Sequence, residues 1–185
     1  MSITASYRRL PPDEFEHLLS DPKAAAEFGF VDLDELELFD DEEDFDSSAS
    51  DAALEENGRY LDIYQDWHAL HFLLTGKAEM DKTDVPPPLG NVVLGGTETK
   101  WEATYGKVRY LTPEEVKDVA MALQAIKEED LRHRDLTTFT AANLYTYRDG
   151  WSTEDLERLM DVFTEVRDFF SKAAREGDVV LLSSD

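Results

Sequence analysis

Cysteine is absent from the 185 residues of this sequence. Its absence excludes a disulfide framework, a thiolate nucleophile and a metal site built from cysteines. The sequence also has no apolar run of about 18 residues, which is the length that a transmembrane helix needs. The N-terminal residues, MSITASYRRL, lack the apolar stretch of a secretory signal. We therefore expect no membrane span and no signal peptide, and we expect a cytoplasmic protein.

Positive charge is scarce. Lys and Arg number 18 against 42 Asp and Glu, which gives a formal net charge of −24. So large an excess of negative charge repels the phosphates of nucleic acids and the head groups of anionic lipids. It attracts basic proteins and speeds their association. We therefore expect no nucleic-acid partner and no membrane partner, and a basic protein is the partner class that the charge favours.

The usual signatures of cofactor binding and catalysis are also absent. Gly95 and Gly96 stand in neither a GxGxxG nor a GxxxxGK(S/T) pattern. No serine lies in a GxSxG elbow, and the carboxylates are too many for any one pair to stand out as acid and base. The sequence therefore predicts no cofactor, no bound metal and no catalytic residue.

The apolar content suffices for one domain of ordinary size, because 42% of the residues are hydrophobic. We expect residues 1–185 to form a single domain of the α+β class that is mainly helical. Residues 2–9 alternate between apolar and polar side chains, as a half-buried strand does, and residues 179–182 form the apolar run of a buried strand. If these strands pair, the N- and C-terminal strands form a small sheet against which the helices pack.

Helices account for most of the predicted structure between the two terminal strands. Apolar residues at three- and four-residue steps, capping residues and terminal glycines mark their bounds. The predicted helices cover residues 13–19, 21–28, 61–76, 112–128 and 135–144, with a last helix from 152 or 153 to 177 and a short extended piece within 101–111. The helix over residues 61–76 has the widest apolar surface, and we expect it to be the central helix.

An acidic segment lies at residues 40–56. It has many carboxylates and no Lys or Arg. Such a run repels itself and resists packing, which predicts a mobile insertion. The first interpretation is a solvated loop that keeps the protein soluble, and the second is a segment that steers a basic partner. Calcium binding is a third, weakened by the lack of the glycine that an EF-hand loop needs.

Two histidines of the predicted central helix are candidates for a site. His68 and His71 lie three residues apart, a spacing that can present two imidazoles to one metal ion or one substrate. The alternative is that His71 is a core residue bonded to backbone carbonyls and that His68 is partly exposed. We group these histidines with residues of the same helix, the following glycine-rich loop and the extended piece. This candidate pocket comprises Trp67, His68, His71, Thr75, Gly95, Gly96 and Arg109.

The stretch LDIYQDWHALHFLLTG at residues 61–76 resembles the LDxDKxWxxLHxLLTG signature of the YfbM-like family, bacterial proteins of unknown function. VLGG at residues 93–96, YGKVRYLTPEEV at 105–116 and AAREGDVVLL at 173–182 fit the same family pattern. The chain departs from it at Tyr64 and Gln65, where the family usually has Asp-Lys. The resemblance implies an α+β domain without an established activity, and it names no substrate.

Two functions follow as hypotheses. We favour a non-enzymatic binding protein, similar to the acidic immunity proteins that neutralise basic toxins, because the net charge is −24 and no catalytic motif is present. The alternative is a small-molecule binder or a hydrolase-type enzyme, with its pocket near His68, His71 and the Gly95–Gly96 loop.

Overall fold

The computed structural model describes residues 2–34, 48–80, 85–147 and 149–185. Within these ranges an antiparallel sheet of five strands has the order β2-β1-β5-β4-β3. The strands are β1 (Ala5–Leu10), β2 (Tyr60–Tyr64), β3 (Thr97–Ala103), β4 (Gly106–Leu111) and β5 (Val179–Ser184). The N-terminal strand β1 pairs with β5, the C-terminal strand at the middle of the sheet. The predicted α+β class and the pairing of the terminal strands are therefore confirmed.

Helices pack on both faces of this sheet. Among the described residues they are α1 (Pro12–Ser20), α2 (Pro22–Glu27), α3 (Ser48–Glu56), α4 (Trp67–Thr75), α5 (Pro113–Ala125), α6 (Glu128–Arg132), α7 (Leu136–Ala141) and α8 (Thr153–Glu176). A 3-10 helix at Leu89–Asn91 precedes β3. The longest helix, α8, begins at a capping box of Ser152 and Asp155 and ends at Gly177, whose φ is 74°. It packs against α5.

The apolar core forms two layers, one on each face of the sheet. Successive side chains of a strand point to opposite faces. Val180 and Leu182 of β5 accordingly belong to the larger cluster, with α4, α5 and α8. Val179 and Leu181 belong to the smaller cluster, with α1 and α2. Because β5 is buried on both faces, its sequence is a continuous apolar run.

The start of the predicted central helix is wrong. Residues 61–64 lie in β2, an edge strand paired with β1, and α4 begins only at Trp67. Ile63 is buried in the strand, and the φ of Tyr64 is 48°, which a right-handed helix does not continue. Strand pairing and burial therefore outweigh the helical spacing of these residues. The predicted end is confirmed, because Gly76 caps α4 with a φ of 70°.

The acidic segment at residues 40–56 is described only in part. Residues 40–47 lie outside the described residues, whereas Ser48–Glu56 form α3. The loop prediction is therefore wrong for this second part. Leu54 is buried, and the carboxylate of Asp51 lies 2.7 Å from the guanidinium of Arg8 on β1. The burial of Leu54 and the ion pair of Asp51 thus help to attach the helix to the sheet despite its acidic sequence.

The remaining elements differ from the prediction mainly in their bounds. The extended piece within residues 101–111 is a hairpin, in which β3 and β4 pair and turn at Thr104 and Tyr105. The helix predicted to residue 128 ends earlier, because the backbone of Ile126 is extended, and α6 follows as a separate helix. Across the described residues, no helix has both the length and the apolar character that crossing a membrane requires.

Candidate functional site

His68 is a buried residue of α4 that bonds to backbone groups. It is 4% exposed. Its Nε2 lies 2.8 Å from the carbonyl oxygen of Ala78, and its Nδ1 accepts a hydrogen bond of 3.0 Å from the amide of Tyr145. Because Nδ1 accepts, the neutral ring donates from Nε2. Both nitrogens therefore tie α4 to neighbouring backbone, and the expectation of a partly exposed His68 is wrong.

His71 lies one turn further along α4 and is 2% exposed. Neither of its ring nitrogens has a hydrogen-bond partner among the described protein atoms. His71 is therefore a core residue, as one of the two interpretations expected, but it does not form the expected bonds to backbone carbonyls. Burial, with a smaller contribution from His68, lowers the pKa of His71 to about 4, so the ring is neutral at pH 7. In the described part of the chain, no three His, Asp or Glu side chains are arranged to hold a metal ion.

Arg109 holds the glycine-containing loop against the sheet. It projects from β4 and is 7% exposed. Its Nη1 donates to the carbonyl of Gly95 at 2.8 Å, and its Nη2 donates to the carbonyl of Val93 at 3.2 Å. Tyr7 of β1 donates its hydroxyl to the neighbouring Val92 carbonyl at 2.7 Å. Two side chains from the sheet therefore fix the backbone of this loop.

The other glycine and threonine of the predicted pocket have structural roles. A Cβ at Gly95 would lie 2.2 Å from Oδ1 and 2.6 Å from Cα of Asn91, so the loop has no space for a side chain there. Gly96 has a φ of 92°, a conformation that favours glycine. Thr75 donates its hydroxyl to the carbonyl of His71 at 2.7 Å, at the end of α4.

Trp67 and Arg109 line a common cavity of about 320 Å³, which we call the Arg109 cavity. The other five predicted pocket residues, all of them described, do not line it. Its remaining walls come from the N-terminal segment, the segment that follows α4, the loop before β3, the β3–β4 hairpin and the end of β5. The lining residues are Ile3, Trp67, Met80, Leu94, Glu98, Tyr105, Gly106, Lys107, Arg109 and Ser184. Of the predicted pocket residues, Trp67 and Arg109 thus share a cavity, and the two histidines lie outside its lining.

A second, more polar cleft of about 640 Å³ lies around Tyr147, and we call it the Tyr147 cleft. Tyr147 donates its hydroxyl to the carboxylate of Asp66, and Arg158 donates to the same hydroxyl. The guanidinium of Arg158 also lies 3.6 Å from the Asp66 carboxylate. Burial and the hydrogen bond to Asp66 raise the pKa of Tyr147, so its hydroxyl stays protonated at neutral pH.

Backbone strain is concentrated at this cleft. Among the described residues, the non-glycine residues with positive φ are Tyr64, Asn143 and Thr146, and the first and last of these line the cleft. Such conformations are uncommon for residues with a Cβ, and they occur often at functional sites. The sequence did not reveal this cleft, because Asp66 and Tyr147 are 81 residues apart and no local spacing connects them.

Comparison with known proteins assigns the family. The family described as Domain of unknown function (DUF1877) matches residues 1–183. The chain belongs to this family. The DUF1877 chain has the fold of YfbM from Escherichia coli, a protein of unknown function with a crystal structure. The two structures align with a TM-score of 0.57 and a sequence identity of 18%, and the alignment covers 97% of this chain and 98% of YfbM. At that identity the likeness shows the fold alone. No curated protein matches the chain.

The resemblance carried by residues 61–76 is thereby confirmed, since the DUF1877 match covers residues 1–183 and the chain has the fold of YfbM. The family description states no activity and no ligand. The Arg109 cavity and the Tyr147 cleft therefore have to be interpreted from their own residues.

Proposed function

We propose that this chain is a non-enzymatic binding protein that engages a basic partner protein through its acidic surface. The outer face of α8 is the observation that supports this most. Exposed or half-exposed carboxylates follow one another there at three- and four-residue steps, which puts them on one side of the helix. The row is about 20 Å long, because a helix rises about 1.5 Å per residue. It comprises Glu154, Glu157, Asp161, Glu165 and Asp168, and we call it the α8 acidic row.

Most of the row has no positive partner. Glu157 lies 3.4 Å from Arg132, but no ion pair within the described residues involves Asp161, Glu165 or Asp168. Like charges four residues apart destabilise a helix by about 0.2–0.5 kcal/mol per pair. The row therefore weakens α8 slightly. Binding of a basic surface would relieve this repulsion.

Three arginines are withdrawn from the surface. Arg8, Arg9 and Arg109 are 6%, 4% and 7% exposed. Arg8 is paired with Asp51 and Arg9 with Asp178, inside the protein. Each of these two pairs removes one aspartate from the surface together with its arginine, so the pairs change the surface charge little. The surface therefore keeps an excess of carboxylates close to the net charge of −24, and attraction of this kind raises the association rate of a basic partner.

Two variants with the same change in net charge test the proposal. The row variant carries Asp161→Lys, Glu165→Lys and Asp168→Lys. The control variant carries Glu27→Lys, Glu55→Lys and Glu56→Lys, all at exposed positions at the C-terminal ends of α2 and α3. Lysine is favourable at a helix C-terminus, so the control should fold normally. Circular dichroism of both variants checks that the fold is kept.

Each protein is immobilised and exposed to lysate of a bacterial cell at low salt, and retained proteins are identified. We expect the wild type and the control variant to retain the same basic protein, and the row variant to lose it. Salt of about 0.5 M should release it, since the Debye length is then well below 10 Å. Equal retention by both variants, or retention that is indifferent to salt, would contradict the proposal. The most specific form of this proposal is an immunity-like role, in which the basic partner is a toxin.

The enzymatic alternative is not favoured by the geometry. Both ring nitrogens of His68 are engaged with backbone groups. His71 is 2% exposed and does not line the Arg109 cavity or the Tyr147 cleft. An imidazole that is to move a proton needs contact with a substrate. Neither histidine offers that contact, so a hydrolase-type pocket at these residues has no support.

A further inference from the structure

Arg109 differs from the other buried arginines in its partners. Arg8 pairs with Asp51 at 2.7 Å, and Arg9 pairs with Asp178 at 2.6 Å. Arg109 is buried to a similar degree, yet no carboxylate of the described residues lies within salt-bridge distance of its guanidinium. Glu98, its exposed cross-strand neighbour, acts on the guanidinium only from beyond that distance. A buried charge without a paired counter-ion is unfavourable. The position is therefore suited to a further negative group that pairs with the guanidinium directly.

The hydrogen bonds of Arg109 leave part of the guanidinium unused. One bond runs from Nη1 to the carbonyl of Gly95, and one runs from Nη2 to the carbonyl of Val93. A guanidinium has further N–H donors in the same plane, and pairs of them match the two oxygens of a carboxylate. The side chain lines the Arg109 cavity. Its remaining donors are therefore the groups that a ligand in this cavity would pair with.

The other walls of the Arg109 cavity are largely apolar. Ile3, Trp67 and Leu94 contribute apolar surface, and Met80, which is 58% exposed, lies at the rim. The indole Nε1 of Trp67 already donates to the carbonyl of Ile3 at 3.1 Å, so its ring requires no polar partner. A volume of about 320 Å³ is at the lower end of the range for small-molecule sites. The ligand that fits is small and mostly apolar.

Glu98 limits the charge that the ligand can carry. It is the cross-strand neighbour of Arg109 in the β3–β4 pair, and it lines the same cavity. Lys107 lines the cavity as well, but its ammonium is paired with Glu102. A phosphate with two charges would be repelled by Glu98 and by the net charge of −24. A single carboxylate neutralises Arg109 with less repulsion.

We propose that the Arg109 cavity binds a small monocarboxylic acid with an aliphatic or aromatic body. The carboxylate pairs with the free edge of the Arg109 guanidinium, and the body packs against Trp67 and Leu94. No lining residue of this cavity belongs to α8. The site is thus independent of the α8 acidic row, and it adds a small-molecule ligand to a protein proposed above to bind a protein partner.

Titration of the isotope-labelled full chain, followed by amide NMR, tests the site with defined probes. Phenylacetate and hexanoate are each compared with their neutral amides, phenylacetamide and hexanamide. We expect the acids to cause saturable shifts of the Trp67 indole and of the Leu94 and Tyr105 amides. Each amide should bind at least about tenfold more weakly, because it forfeits the charge-assisted hydrogen bonds that a carboxylate forms with the guanidinium.

Two variants separate the ligand role of Arg109 from its structural role. Arg109→Met should abolish acid binding, but it also removes the bonds that hold the loop. Glu98→Gln, at an exposed position, leaves Arg109 in place and removes a neighbouring negative charge. It should strengthen acid binding by about two- to tenfold and leave amide binding unchanged. The row variant of α8 serves as the matched control and should bind phenylacetate as the wild type does.

Three results would each overturn the proposal. The first is that an acid and its amide bind with equal affinity. The second is that neither acid causes a saturable NMR shift at the cavity up to about 10 mM. The third is that Glu98→Gln binds the acids more weakly than the wild type does. Because the row variant keeps the cavity, a failure to find a protein partner for α8 leaves this test unaffected.

Discussion

Replacing His71 with leucine should make the protein more stable at neutral pH. The imidazole is 2% exposed, and its nitrogens have no hydrogen-bond partner among the described atoms. A buried polar group without a partner destabilises the folded state by about 1–3 kcal/mol. Leucine is of similar size and has no polar side-chain atom. We therefore expect the free energy of unfolding at about pH 7 to rise by about 1–2 kcal/mol.

The same replacement should make the protein less sensitive to acid. Burial lowers the pKa of His71 from 6.5, the value expected in the unfolded chain, to about 4. Between these values the unfolded chain binds a proton that the folded protein does not, so stability falls as the pH drops. One such proton changes the free energy of unfolding by about 1.4 kcal/mol per pH unit. From about pH 7 to about pH 5 the wild type should lose about 2 kcal/mol through His71.

Urea unfolding of the two proteins across this pH range measures the effect. The difference between wild type and His71→Leu isolates the imidazole, because the carboxylates titrate in both. His133→Leu replaces an exposed histidine and is the matched control for the same change of side chain at the surface. Parallel profiles for wild type and His71→Leu would refute the reasoning, as would a pKa of about 6.5 for His71 in the folded protein by NMR.

Four further substitutions test the energetics of the fold by urea unfolding. Asp178→Ala leaves the buried Arg9 without its closest carboxylate and should lower the free energy of unfolding by about 3–5 kcal/mol. Glu176→Gln changes the exposed partner of the same arginine and should lower it by less than about 1 kcal/mol. Equal losses for the two variants would contradict the assignment of Asp178 as the main partner of Arg9. Thr146→Gly removes a Cβ from a residue at φ 67° and should add about 1 kcal/mol, so a less stable variant would show that no strain is stored there. Gly95→Ala introduces a Cβ 2.2 Å from a neighbouring side-chain oxygen and should remove about 1–3 kcal/mol, and an unchanged stability would mean that the loop can shift.

The helix ends that are marked by capping residues or glycines were predictable from the sequence. The capping box at Thr112 begins α5, and the left-handed glycines Gly76 and Gly177 end α4 and α8, as their residue types indicate. β2 was not predictable, because Ile63 has helical spacing with the residues that follow it. The partner strand β1 is distant in sequence, and its pairing decides the structure of this segment. Likewise, α3 is attached to the sheet through the buried Leu54 and the ion pair between Asp51 and Arg8, and no local pattern contains these contacts.

The candidate site was predictable only in part, for a similar reason. Residue types identified Trp67 and Arg109, which do line one cavity. The three-residue spacing of His68 and His71 puts them near each other on α4, but the surrounding core determines what their nitrogens meet. The Tyr147 cleft requires a contact between distant segments. The single domain over residues 1–185 and the basic partner stay predictions.

The salt dependence of binding between this chain and a captured basic protein is the most direct test of an acidic binding surface. With the wild type and the control variant, we predict that the affinity falls at least about tenfold between about 50 and 200 mM salt, as charged contacts become screened. For the row variant we predict weak binding that hardly changes with salt. An affinity that is independent of salt, or that is the same for the row variant and the control variant, would contradict the proposal that the α8 acidic row binds the partner.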